Sequence, residues 1–230
     1  MSRILLLCLL LSGTLTADEP AQQSAQIDDR ARATHRFEDA ERWSKVWDHA
    51  SRDAWQEPAR IVEILTLELG MSVADIGAGT GYFNLYLSEA VGPQGSVYPV
   101  DIEPAMVEHM RQRATSEKTA NVTPVLGSAE DPQLPVERVD RILMVDTYHH
   151  IDHRLAYLGR LRQLLAPDGL FVDVDWKPGQ LELGPAPAHK IAPEEVIAEL
   201  NQAGFELLAS HDLKYQYVLV FRPRGAATRN

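Results

Sequence analysis

The sequence predicts an α/β protein in which a mostly parallel β-sheet is covered by helices on both faces. After Gly70, short apolar runs alternate with stretches of helical periodicity, which is the pattern of strands joined by crossover helices. The chain ends instead in two strand-like runs without a helix between them, which is typical of an antiparallel hairpin. With 230 residues, 45% of them hydrophobic, the chain suits one such domain and a short extension.

Each strand of this sheet is predicted from an apolar run bounded by turn residues. The predicted strands are residues 73–76, 96–100, 122–126, 139–145, 170–174, 205–210 and 215–222. The predicted helices of the sheet region are residues 82–91, 104–118, 154–165 and 193–203. Pro104 and Pro193 begin two of these helices. The first N–H groups of a helix have no partner within it, so the missing N–H of proline costs no hydrogen bond there. Upstream, residues 37–69 have helical spacing that Pro58 should divide into two helices.

The N-terminus has a different composition from the rest of the chain. Arg3, the apolar run 4–11 and the small residues ending at Ala17 form the layout of a cleavable export signal. We therefore expect a signal peptide at 1–17, a flexible lead-in at 18–35, a helical lid at 36–70 and the α/β domain at 71–224. The expected location is the periplasm. Eight apolar residues are too few to span a bilayer, so no stable membrane insertion is expected.

Charge and cysteine content exclude several kinds of function. The formal net charge is −11 and no basic stripe interrupts it, so nucleic acid is not an expected partner. Cys8 is the only cysteine and lies inside the predicted signal. The mature protein would then have no disulfide, no thiolate metal site and no cysteine nucleophile. A lipoprotein anchored at Cys8 is the alternative, but Leu6 and Leu7 lack the small residue that such processing prefers.

A glycine-rich turn follows the first predicted strand. Gly77, Gly79 and Gly81 let a ligand approach the backbone closely, and the helix behind them begins with free N–H groups. Asp101 ends the second strand, where a carboxylate can accept hydrogen bonds from both ribose hydroxyls of a nucleoside. The glycine loop together with this acid predicts a nucleoside site.

The spacing of the glycines does not match a dinucleotide fingerprint. Tyr82 occupies the position of the last glycine in Gly-x-Gly-x-x-Gly, and no Tyr-x-x-x-Lys is present. Both observations argue against hydride transfer. Two alternatives stay open at this point: an NAD(P)-dependent oxidoreductase, and a protein that binds a nucleoside or cofactor without turnover.

These motifs resemble those of the class I S-adenosylmethionine-dependent methyltransferases, near the ubiquinone and menaquinone biosynthesis branch. Residues 73–81 look like motif I of that family, residues 127–131 its adenine loop, and residues 165–170 its entry to strand five. The resemblance implies a Rossmann-like sheet of seven strands whose C-terminal hairpin contains the seventh. It makes residues 71–224 the methyltransferase domain, with S-adenosyl-L-methionine as cofactor and an unidentified small molecule as acceptor.

The resemblance also implies which residues hold the cofactor. The glycines would border the methionine moiety with Asp75 near its ammonium, Asp101 would hold the ribose, and the Ala129 N–H would meet the adenine. Ser128 stands where the family often has an Asp that accepts a hydrogen bond from the adenine amine; its hydroxyl can accept there too, but without charge. The expected cofactor site comprises Asp75, Gly77, Ala78, Gly79, Gly81, Asp101, Ile102, Ser128, Ala129 and Asp146. The N-terminal helices, with Arg52 and Trp55, commonly close over this pocket in the family.

Candidate catalytic groups follow the fourth strand, at the edge of the sheet where ligands bind. His149 and His150 are candidates for a general base, because imidazole titrates near neutral pH; the alternative is that one of them caps a helix. Tyr148 could orient the acceptor or simply pack in the core. No metal is expected, although His149 and His153 have the helical spacing of a ligand pair.

Overall fold

The computed structural model describes residues 39–225. The predicted signal peptide, the predicted lead-in and the first residues of the predicted lid lie outside this range. Within it, we find no helix with the length and apolar content needed to cross a membrane.

A single seven-stranded sheet with the order β3-β2-β1-β4-β5-β7-β6 forms the centre of the described chain. The pairs from β3 through β5 are parallel, and β7 runs antiparallel to both β5 and β6. The strands are β1 (Ser72–Ile76), β2 (Ser96–Asp101), β3 (Val125–Leu126), β4 (Val139–Val145), β5 (Leu165–Trp176), β6 (Phe205–Asp212) and β7 (Gln216–Pro223). The predicted Rossmann-like sheet with its C-terminal hairpin is confirmed.

Helices connect these strands and precede them. They are α1 (Ala40–Trp47), α2 (Asp53–Gln56), α3 (Pro58–Ile64), α4 (Asn84–Val91), α5 (Pro104–Glu117), α6 (Arg154–Leu164) and α7 (Pro193–Gln202). Short 3-10 turns lie at Ala50–Arg52, Tyr148–His150 and Pro187–His189. The prediction of a helix boundary at Pro58 holds, because Pro58 is the first residue of α3.

Several boundaries differ from the predictions. The third strand covers only Val125–Leu126, and Val122 makes an isolated bridge to Val97. The fifth begins at Leu165, not 170, because Leu165 already pairs with Val139 before the register shifts. The predicted end of the sixth strand at residue 210 is wrong, since β6 continues to Asp212. Upstream of Pro58, two α-helices and a 3-10 turn replace the single predicted helix.

A hydrophobic core lies on each face of the sheet. Along β5, Phe171 belongs to the core that contacts α6 and α7, while Val172 and Val174 belong to the core that contacts α3 and α4. This alternation follows from the two-residue period of a strand, and it explains why apolar residues of a central strand are buried on both faces of the sheet. Because helices cover both faces of the sheet, the functional groups lie at the ends of its strands.

Candidate cofactor and acceptor site

A cavity of about 820 Å³ opens at the carboxyl ends of the parallel strands. The residues after β1, β2 and β4 form its floor, as expected for ligand sites in open α/β sheets. The N-terminal segment, which we define as residues 39–56, lies over it and contributes Trp47, Arg52 and Trp55 to its lining. That the N-terminal helices close over a bound cofactor stays a prediction.

The glycine loop after β1 forms a bare stretch of the cavity wall. Gly77 has φ +75°, and a Cβ there would overlap the side chain of Thr147. Gly79 has φ +56°, and its Cβ would lie 3.2 Å from the ring of Trp47. Both backbone positions favour glycine and both sit where a side chain has no room. Ala78 lies between them in the lining.

Asp101 joins this loop to the end of β2. Its Oδ2 accepts a hydrogen bond from the Gly79 N–H at 2.9 Å, and its Oδ1 accepts one from the Glu103 N–H at 2.9 Å. Burial raises the pKa of the Asp101 carboxyl above its usual value, against those hydrogen bonds. The two strand ends thus face each other across the cavity, with the carboxylate held rigidly between them.

Ile102, Ser128 and Ala129 line the cavity beyond Asp101, on the side of β3. The Ser128 hydroxyl accepts hydrogen bonds from the Asp131 N–H at 3.1 Å and the Glu130 N–H at 3.3 Å. The hydroxyl of Ser128 therefore stabilises the turn formed by residues 128–131, in which it lies. The sequence suggested Ser128 as an acceptor for the adenine amine, but in the structure this hydroxyl is already engaged by the loop.

Two acids at the ends of β1 and β4 have strongly perturbed titration. Burial raises the pKa of both Asp75 and Asp146 to about 7, with the Arg52 charge acting in the opposite direction. Asp146 lines the cavity and has φ +54°, an uncommon conformation for a residue other than glycine. Asp75 is buried just outside the lining.

His149 lines the cavity and pairs with a buried carboxylate. Its Nδ1 lies 2.9 Å from Oδ2 and 3.0 Å from Oδ1 of Asp175, and both side chains are almost fully buried. The Trp176 N–H donates to Asp175 Oδ1 at 2.7 Å and holds that carboxylate in place. A carboxylate on Nδ1 favours the tautomer with the proton there, which leaves Nε2 able to accept a proton.

The other two candidate catalytic residues lie in different settings. His150 also lines the cavity, with its ring 4.3 Å from that of His149. Tyr148 is fully buried and does not line the cavity; its hydroxyl donates to Glu199 Oε2 at 2.5 Å. The structure therefore favours the core-packing interpretation of Tyr148. Gly81 is also absent from the lining and instead takes φ +79° before α4.

His149 and His153 both line the cavity, but no group of three or more potential ligands that could hold a metal ion occurs among residues 39–225. His149 is paired with the carboxylate of Asp175.

Sequence reasoning missed two residues of this site, Asp175 and Gln216. Asp175 is 26 positions from His149, and Gln216 is 70 positions from Asp146, to which its Nε2 donates a hydrogen bond at 2.5 Å. Trp176 lines the cavity with its ring 5.3 Å from that of Trp55. A polar residue at the end of a central apolar strand was the available signal for Asp175, since buried acids need a partner.

The described residues fit a nucleoside with a charged tail. The bare loop at Gly77 and Gly79 gives close backbone approach, and Asp101 stands at the neighbouring strand end to accept from ribose hydroxyls. Asp146 in the lining and Asp75 just outside it place two carboxyl groups at this end of the cavity, and a bound cationic group would favour their ionised form. Fold and site together define a Rossmann-like protein that binds a nucleoside cofactor.

Comparison with known proteins makes this assignment specific. Residues 73–169 match the family described as a methyltransferase domain. A segment of 121 residues is 29% identical to a protein-L-isoaspartate O-methyltransferase of Ignicoccus hospitalis, covering 53% of this chain and 55% of that protein. A segment of 145 residues is 27% identical to the aklanonic acid methyltransferase DauC of Streptomyces sp. strain C5, covering 62% of this chain and 66% of that protein. The chain thus spans less than two thirds of either relative.

Among solved structures, a SAM-dependent methyltransferase from Aquifex aeolicus superposes with a TM-score of 0.75 at 28% identity. The superposition covers 80% of this chain and 97% of that one. In sequence and in fold the chain is similar to S-adenosylmethionine-dependent methyltransferases. Its place in the ubiquinone and menaquinone branch stays a prediction.

Proposed function

We propose that the protein transfers a methyl group from S-adenosylmethionine to a small molecule whose reacting atom, such as a hydroxyl oxygen, carries a proton. The observation that carries this proposal is the pairing of His149 with the buried carboxylate of Asp175 at the wall of the cavity. An acceptor that needed only alignment would not require a base held in one tautomer.

The cofactor, when bound, supplies a methyl group on a sulfonium, which makes the methyl carbon electrophilic. The proposed roles of the protein are to hold the nucleoside at Asp101 and the glycine loop and to keep the acceptor next to His149. In the transfer, the acceptor oxygen would form its bond to the methyl carbon as the methyl–sulfur bond breaks and the sulfur leaves as a neutral thioether, and the proton of the acceptor O–H would pass to His149 Nε2. Asp175 then stabilises the imidazolium that results. The closing N-terminal segment excludes water from these steps.

The relatives support the reaction class and leave the acceptor open. One is named for a protein L-isoaspartate and the other for aklanonic acid, so the family itself does not determine the acceptor. The net charge of −11 disfavours nucleic acid here. Trp55, Trp176 and Leu183 in the lining favour a small molecule with an apolar face. Export to the periplasm stays a prediction from residues 1–17.

The test has two stages. First, S-adenosylhomocysteine should raise the unfolding temperature, because it binds only the folded form. Second, cofactor labelled on the methyl group should label members of a panel of small hydroxyl compounds. His149→Gln should lose that transfer and keep the thermal shift. The matched control is His109→Gln, on α5 and outside the cavity lining, which should keep both.

The outcomes separate the alternatives. A thermal shift without transfer to any acceptor would favour a protein that binds the cofactor without turnover. Protection by NAD in place of S-adenosylhomocysteine would overturn the proposed function. Full transfer by His149→Gln would remove the base from the mechanism while leaving the methyl transfer intact.

A further inference from the structure

The cavity lining contains three described residues with a permanent positive charge: Arg42, Lys45 and Arg52. Arg42 and Lys45 are exposed on α1, the helix that packs against Met106 of α5. Arg52 is different, because only 15% of its side chain is exposed. Its guanidinium carbon lies 4.0 Å from the ring centre of Tyr82, directly after the glycine loop.

The order of the strands determines which part of a nucleoside cofactor would approach Arg52. Ser128 and Ala129 follow β3, Asp101 ends β2, and Gly77 and Asp146 follow β1 and β4. A ribose held at Asp101 with its base toward β3 must direct its 5′ substituent the opposite way, across β1 toward β4. Arg52 lies at that end, with Nη2 3.9 Å from Asp146 Oδ2.

The hydrogen bonds of Arg52 fix its guanidinium and leave donors for a ligand. Its Nε donates to Gln56 Oε1 at 3.1 Å, and its Nη1 donates to the Trp47 carbonyl at 3.0 Å. Both acceptors are neutral. The 3.9 Å separation from Asp146 is too long for a hydrogen bond, so among residues 39–225 no carboxylate is hydrogen-bonded to the guanidinium of Arg52.

A second set of contacts ties Arg52 to the sheet. Gln56 is fully buried, and its Nε2 donates to Gln216 Oε1 at 2.6 Å. Gln216 in turn donates to Asp146 Oδ1, the carboxylate whose other oxygen faces Arg52. These side-chain contacts connect the N-terminal segment to β7 and to the end of β4.

We propose that Arg52 binds the carboxylate of the amino-acid tail of S-adenosylmethionine, and that this contact holds the N-terminal segment over the cavity. The inference rests on the proposed function, since it presumes that cofactor. A planar guanidinium with free donors is the group best suited to a carboxylate, and the tail carries its carboxylate beside an ammonium that Asp146 and Asp75 can balance. Arg52 thereby distinguishes the complete cofactor from nucleosides that lack an amino acid.

The experiment compares two ligands by calorimetry on the full chain. S-Adenosylhomocysteine has the amino-acid tail, whereas 5′-methylthioadenosine has the same nucleoside and sulfur without it. For Arg52→Gln, affinity for S-adenosylhomocysteine should fall by about 10- to 100-fold, the range of a charge-assisted hydrogen bond. Affinity for 5′-methylthioadenosine should stay within about 3-fold, well below that range. Arg60→Gln is the charge-matched control, exposed on α3 and outside the lining.

Each result decides the proposal. Selective loss of S-adenosylhomocysteine in Arg52→Gln, with partial recovery in Arg52→Lys, supports it. An equal loss of both ligands would show that Arg52 acts only through the fold of the N-terminal segment. Unchanged binding of both would remove Arg52 from the site. If the unaltered protein binds neither ligand, the proposed function itself fails, and that failure is visible before any variant is made.

Discussion

Asp101 is the residue through which the glycine loop and the second strand act together. Its two oxygens accept from the Gly79 and Glu103 N–H groups while the carboxylate borders the cavity. We expect Asp101→Ala to weaken binding of S-adenosylhomocysteine by about 1–3 kcal/mol, because buried donors lose their partner. Calorimetric titration measures this change, with Glu108→Ala, exposed on α5, as control. Equal affinities for Asp101→Ala and the unaltered protein would contradict the assignment.

Asp175 is expected to act on the reaction through His149. Asp175→Asn preserves the shape of the side chain but removes the negative charge that favours an imidazolium. The rate of methyl transfer should fall by about 10²- to 10⁴-fold, the contribution of general base catalysis, while affinity for S-adenosylhomocysteine stays unchanged. Single-turnover kinetics with labelled cofactor and the identified acceptor measure this.

Asp173→Asn provides the matched control for that experiment. Asp173 is buried two positions before Asp175 on the same strand, and neither of its oxygens has a hydrogen-bond partner among the described residues. It does not line the cavity, so its variant should change the rate far less. Equal losses in both variants would point to a general disturbance of β5 instead of a role through His149.

Sequence reasoning could place the residues whose roles follow from their position along the chain. The glycine loop and Asp101 follow consecutive strands, so a linear motif identifies them. Asp175 and Arg52 meet their partners only because β4 and β5 are neighbours and the N-terminal segment folds back. Tyr148 illustrates the same limit: adjacent to His149 in sequence, it turns into the core toward Glu199. Side-chain direction within a 3-10 turn is not encoded in residue type alone.

At the scale of secondary-structure elements, hydrophobic patterning predicted type and order well and boundaries less well. Strand β4 is predicted from its apolar residues, and the observed Val139–Val145 coincides with the prediction although the strand also contains Asp140 and Arg141. Strand β5 is longer than its apolar run, because pairing with β7 continues through Asp173, Asp175 and Trp176. Those acids are therefore part of the sheet. Propensity disfavours acids in strands, and tertiary pairing overrides it here.

The turn between β1 and α4 has a backbone conformation that strongly favours glycine. We expect Gly77→Ala to destabilise the fold by about 1–3 kcal/mol, since φ +75° is strained for alanine and its Cβ would overlap Thr147. Gly159→Ala is the matched control within α6, where nothing lies within 4 Å of the added Cβ. It should stabilise the protein by about 0.5–1 kcal/mol. Urea unfolding of both variants measures the contrast, and equal midpoints would contradict it.

For the molecule as a whole, the parallel strands bring acids together that are far apart in the chain. Asp75, Asp146 and Asp173 come from β1, the end of β4 and β5, and burial raises the pKa of each. The folded protein accepts this unfavourable burial at the edge where it would bind a cationic cofactor. Placing destabilised groups at a functional site is a common consequence of selecting for ligand binding.

This arrangement has a consequence for stability that can be measured without any ligand. The carboxyls of Asp75 and Asp146 have a pKa of about 7 in the folded state and about 3.8 when exposed. The folded protein therefore holds protons that the unfolded chain releases, so the stability contributed by these two groups is fully present below about pH 4 and is lost as the pH rises to about 7. Their contribution to the free energy of unfolding of the ligand-free protein should fall between about pH 4 and pH 7.

Asp146→Asn removes one of the two carboxyl groups that cause this pH dependence. The slope of the free energy of unfolding against pH should become less negative by at most about 1.4 kcal/mol per pH unit, the contribution of a single proton. Asparagine can still accept the hydrogen bond from Gln216, so the fold around the site is preserved. Glu89→Gln, exposed on α4, should leave the slope as it is. Denaturant unfolding at each pH measures these slopes. A slope that Asp146→Asn leaves unchanged would mean that Asp146 is already ionised near neutral pH, held so by Arg52.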